Sequence, residues 1–103
     1  MNNVKIWVDD VRPAPDGYVW CKSVNDAIEC LCDAMKNAVQ IEVLDLDHDA
    51  GDYYIDGGDY IKILDYMEEH MVCYFPIHIH SMNAVGIANM RCIINRNGWR
   101  EVF

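Results

Sequence analysis

Val4-Lys5-Ile6-Trp7-Val8-Asp9-Asp10 is an apolar run that stops abruptly at two carboxylates. A buried parallel strand ends this way when it delivers polar groups to the crevice at the carboxyl edge of a sheet. The run is therefore read as strand one. Ile41-Glu42-Val43-Leu44-Asp45-Leu46 repeats the pattern as strand three and opens into Asp45-Leu46-Asp47-His48-Asp49-Ala50-Gly51-Asp52, a second acidic strand end.

The connections between these runs fix the architecture. Val11 to Gly17 contains Pro13, Pro15 and Asp16-Gly17, so no helix runs through it. A loop stands where the first crossover helix is usual. Tyr18 to Lys22 has the composition of strand two. Ser23 then offers an N-cap with Asp26 three residues on, and Ala27, Ile28, Leu31, Ala34 and Met35 recur at helical spacing to about Asn37. After strand three a loop through Gly57-Gly58 leads to a helix from about Asp59 to near His70. Pro76 to Ser81 reads as strand four. Asn83 caps a last helix closed by Asn97-Gly98, and the tail Trp99 to Phe103 adds strand five. This alternation predicts a single α/β domain over residues 1–103, with a mostly parallel five-stranded sheet, helices on both faces and three layers in all.

Composition narrows the possible partners. Seventeen acids against eight bases give a formal charge of −9, which disfavours bulk DNA or RNA, whose affinity rests on clustered Lys and Arg. A small phosphorylated ligand remains compatible, because a metal held by carboxylates inverts the local charge. The five cysteines, Cys21, Cys30, Cys32, Cys73 and Cys92, read as reduced core residues, and the C-x-C of Cys30 and Cys32 does not read as a zinc site. No apolar run approaches a membrane span and no signal peptide is evident, so a cytoplasmic protein, alone or as a small homo-oligomer, is expected.

In such a sheet ligands bind outside the carboxyl ends of the strands. Asp9 and Asp10 close strand one, Asp45 and Asp47 strand three, and His80, Ser81 and Asn83 strand four. Carboxylates converging there repel unless a cation sits among them, and oxygen ligands select a hard ion, Mg²⁺ or Mn²⁺. The bland reading is that single aspartates cap helices or solvate loops. His70, at a polar helix end, is given no role, and His78 reads as a buried structural histidine sharing a face with His80. Trp20, Tyr53, Tyr54 and Trp99 are read either as base-stacking residues or as core and interface residues.

Asp9-Asp10, Asp45 and Ser81 resemble the acidic pair, phosphoacceptor and hydroxyl residue of response-regulator receiver domains, which have a flavodoxin-like fold. Through Trp7 to Pro13, Leu44 to Asp49 and His80-Ser81-Met82-Asn83, the chain is more similar still to the cyclic-phosphate-processing receiver domain. That resemblance implies a metal-dependent phosphoesterase acting on a cyclic nucleotide or a 2′,3′-cyclic RNA end. On this reading Asp9, Asp10, Asp45 and Asp47 hold the metal, and His48 or His80 serves as general acid or base. Arg12, Ser81 and Asn83, with the amides of the helix that Asn83 opens, hold phosphate. Asp45 is alternatively a direct nucleophile. Trp99 to Phe103 lacks the lysine that pairs with a receiver's phosphoacceptor, which weighs against regulated aspartyl phosphorylation. Two further readings stay open: a module that sequesters a cyclic nucleotide unchanged, and a stand-alone phosphoacceptor receiver.

Overall fold

Strand β1 (Asn3–Val8) is the centre of the sheet in the computed structural model, which describes residues 2–70 and 73–103. It pairs in parallel with β2 (Tyr18–Cys21) on one side and with β3 (Gln40–Leu46) on the other. Strand β4 (Ile77–Ile79) extends the sheet from β3, again in parallel, giving the order β2-β1-β3-β4. Ile6, Leu44 and Ile77 lie abreast, as do Cys21, Val8, Leu46 and Ile79, and alternation sends these two rows to the same face.

Three helices cover that face. Helix α1 (Val24–Lys36) packs on β1, β2 and β3, α2 (Ile61–His70) on α1, and α3 (Ala84–Arg96) on α2. Leu31, Ile63, Leu64, Met67, Met90 and Ile94 are wholly buried against Ile6, Val8, Leu44, Leu46 and Ile77. Each such side chain contributes about 1.5–3 kcal/mol of transfer free energy. Both helix starts are fixed as their sequences imply: Ser23 Oγ accepts from the Asp26 amide at 3.0 Å, and Asn83 Oδ1 from the Gly86 amide at 2.9 Å.

The α/β class and parallel order agree with the sequence reading, but three particulars differ. Among the described residues, the helices lie on one face only. The crossover from β1 to β2 is the proline-bearing loop, and the opposite row of the sheet carries Lys5, Trp7, Tyr18, Trp20, Val43, Asp45 and His78. Of these only Asp45 is buried; the rest keep solvent contact, and the charged ones would be costly to cover with a helix. The described residues thus form two layers rather than three.

The fifth strand is not formed. The tail makes one parallel bridge, Glu101 opposite Ile77, with the Ile77 amide donating to Arg100 O at 2.9 Å and the Val102 amide to Ile77 O at 2.8 Å. Strand β4 is only three residues long, and Glu101 is drawn to Arg91 at 2.9 Å, so pairing stops there. The segment expected to be loop between β3 and α2 holds a 3₁₀ helix, Gly51–Ile55. All five cysteines are free; Cys21 is buried, Cys30 and Cys73 flank the core, and Cys92, expected inside, is exposed. No described helix is long and apolar enough to cross a membrane.

Candidate functional site at the carboxyl ends of β1 and β3

Val8 stands opposite Leu46, and the Asp47 amide donates to Val8 O at 3.0 Å, so the residues after both strands leave side by side. Asp9, Asp10 and Asp47 there each offer a carboxylate oxygen, all within 4.8 Å of one another. Asp9 is almost wholly buried. Its Oδ1 accepts from the amides of Val11 and Arg12, both at 2.9 Å, and its Oδ2 faces His80 Nε2 at 2.9 Å. Burial pushes this carboxyl up, but the amides and His80 outweigh it and hold Asp9 below the ordinary carboxylate range. Asp10 moves the other way, raised by burial and by the charges of Asp9 and Asp47. Gly51 makes this packing possible: its φ is +56°, and a Cβ there would overlap Asp10 Oδ2.

Asp45 belongs to a different cluster. It pairs with Trp7 and His78 across the sheet, so its side chain lies on the helix-free face, one step before the strand end. Its Oδ1 faces His78 Nδ1 at 2.8 Å and His80 Nδ1 at 2.6 Å. His80 thus bridges Asp45 and Asp9 with its two ring nitrogens. Trp7 stacks on the His80 ring at 3.8 Å and 6°, and its indole donates to Arg12 O at 2.9 Å. Of the four aspartates expected together, Asp9, Asp10 and Asp47 lie close to one another, and Asp45 is linked to them through His80.

A third group forms at the start of α3. His48 Nδ1 is 2.9 Å from Asp49 Oδ1, while its Nε2 has no hydrogen-bond partner among the described residues. Its ring lies so close to α3 that a Cβ on Gly86 would overlap it. The Asn83 amide group donates to Asp49 at 3.3 and 3.4 Å, and Ser81 Oγ accepts the Asn83 backbone amide at 3.1 Å. The Tyr60 amide donates to His48 O at 2.9 Å and the Tyr60 hydroxyl to Lys22 O at 2.7 Å, pinning the loop to the sheet. Arg12 is half exposed, its Nε 3.8 Å from Asp9.

His78 is about a third exposed and engaged with Asp45, rather than fully buried as expected. Sequence reasoning missed Trp7, Asp49, Gly51 and Gly86 as parts of the site. Asp49 and Trp7 adjoin residues that the acidic pattern did single out; the two glycines carry no local signal, because their role is a close approach between distant segments. Of the aromatics considered for stacking, Trp99 packs on the core, and Tyr53 and Tyr54 sit exposed on the 3₁₀ helix. Trp20 is tied through its indole to Asp9 O at 2.7 Å.

A parallel sheet ordered 2-1-3-4, with carboxylates leaving its two central strands beside a helix start, defines a receiver-like domain. The model of the cyclic-phosphate processing receiver domain matches residues 4–96, and the chain belongs to that family. Comparison with curated proteins and with solved structures returned no match.

Proposed function

We propose that the protein is a metal-dependent phosphoesterase that opens a cyclic phosphate, either a cyclic nucleotide or a 2′,3′-cyclic RNA end. The observation that carries this reading is the meeting of Asp9, Asp10 and Asp47 beside an oriented His48 at the start of α3. An all-oxygen set in which one carboxyl is raised by burial and by its neighbours' charge fits a hard cation, which relieves that repulsion. Asp10 and Asp47 would hold Mg²⁺ or Mn²⁺, and Asp9, whose oxygens are already engaged, would keep them in place. Such an ion, when bound, polarises a phosphoryl oxygen and acidifies water.

The chain's own groups divide the remaining work. Asp49 on Nδ1 fixes the His48 ring and leaves Nε2 free to move a proton. Ser81, the first amides of α3 and Arg12 are suited to phosphate oxygens. His80, with both nitrogens facing carboxylates, serves as a positioning residue. In the reaction a water oxygen bonds to phosphorus and one P–O ester bond of the ring breaks. The water's proton passes to the base, and the released ester oxygen gains one.

The test is incubation with Mg²⁺ or Mn²⁺ and a panel of cyclic mono-, di- and trinucleotides and 2′,3′-cyclic ends, with chromatography before and after denaturing the protein. Linear product that disappears in Asp47→Asn, and falls by about 10²–10⁴ in His48→Asn, is expected. Ligand depleted before denaturation and recovered intact afterwards would replace the enzyme with a sequestering module. Covalent labelling of the protein by acetyl phosphate, without ring opening, would replace it with a phosphoacceptor.

A further inference from the structure

We propose that Asp45, His78 and His80 form a second metal site, for a borderline transition ion such as Zn²⁺, on the helix-free face of the sheet. The three donor atoms lie within 4.8 Å of one another, and both histidines bring Nδ1 to the same carboxylate oxygen, at 2.8 and 2.6 Å. Two imidazoles and one carboxylate are a nitrogen-rich set, which suits Zn²⁺, Fe²⁺ or Ni²⁺ where the all-oxygen set of Asp9, Asp10 and Asp47 suits Mg²⁺. The two clusters therefore differ in chemistry as well as in place.

Three further features are those of a ligand site. His80 turns its other nitrogen to the buried carboxylate of Asp9 at 2.9 Å, the second contact that orients a metal-binding imidazole. Trp7, stacked on the same ring, fixes its plane. His78 is about a third exposed while Asp45 and His80 are nearly buried, and no described helix lies over this face, so an ion would enter past His78. His80 faces a carboxylate at each ring nitrogen, and an ion between its Nδ1 and Asp45 would convert that direct contact into shared coordination. The assignment shares His80 with the phosphoesterase reading but requires no turnover.

Zn²⁺ is titrated calorimetrically into the whole protein with Mg²⁺ in saturating excess. Binding of about one equivalent is expected, weakened about tenfold or more in His78→Asn and in Asp45→Asn and retained in Asp10→Asn. Far-UV circular dichroism checks that each variant folds. Long-range ¹H–¹⁵N spectra of the unmodified protein supply a test free of variants, in which Zn²⁺ shifts Nδ1 of His78 and His80 and leaves His70 unmoved. Three results would overturn the site: no Zn²⁺ binding in excess Mg²⁺, binding that survives both ligand variants, or shifts centred on His48.

Discussion

The two faces of the same four strands follow opposite rules. On the helix side, Ile6, Leu44 and Ile77 lie abreast with none of their surface exposed. One residue further along each strand, on the other side, the row reads Trp7, Asp45 and His78. A covered face admits only groups that need no water, whereas a face left open by a proline loop can hold titratable side chains at modest cost. The loss of one crossover helix thus leaves a row with titratable groups on the sheet surface behind the strand-end crevice.

Substitution within each face is the most forceful way to break this contrast. Leu44→Ala is expected to cost about 2–5 kcal/mol in urea unfolding, while Val43→Ala, its neighbour on the open side, costs about 1 kcal/mol or less. Equal losses would mean that both faces are packed alike. Gly86→Ala comes next: its Cβ must displace the His48 ring, at about 1–3 kcal/mol of stability, and ring opening should be abolished while the protein still folds.

Asp10→Asn should act in the opposite direction. The folded-state carboxyl of Asp10 is raised, so its ionisation costs stability; the cost is absent below the ordinary carboxylate value and complete above the raised one. The variant should therefore melt higher than the parent at neutral pH, with the gap closing as pH falls below about 4. Mg²⁺ should raise the parent's melting temperature and leave the variant's nearly unchanged. Asp9 has the reverse sign: its depressed value stabilises the fold above the ordinary carboxylate range, and that support is lost as pH falls through the depressed value. The smallest effect is expected far from both faces, at the exposed Lys62–Asp65 pair 3.9 Å apart, where Lys62→Ala should change stability by about 0.5 kcal/mol or less.

The strands, both helix caps and the missing crossover helix were legible because each has a local chemical cause: β-branched runs, Ser23 and Asn83 at helix starts, Pro13 and Pro15 in the loop. What that loop does to the opposite face was not, since whether a later helix covers that face depends on the side each later crossover takes. The acidic end of β3 was read as one cluster because Asp45 and Asp47 differ only by where the strand stops. A shift of two residues decides whether a carboxylate meets Asp10 or His78. The 3₁₀ helix Gly51–Ile55 has no apolar period to announce it, and the tail has strand-like residues but only three residues of β4 to pair with.

The stack of Trp7 on His80 also turns the protein into its own optical instrument. An indole 3.8 Å from an imidazole that touches two carboxylates should change its emission when that ring changes partner. With Trp20 and Trp99 replaced by Phe, the one remaining tryptophan would report in real time, and without any added label, which of the two clusters an incoming ion or phosphate reaches first.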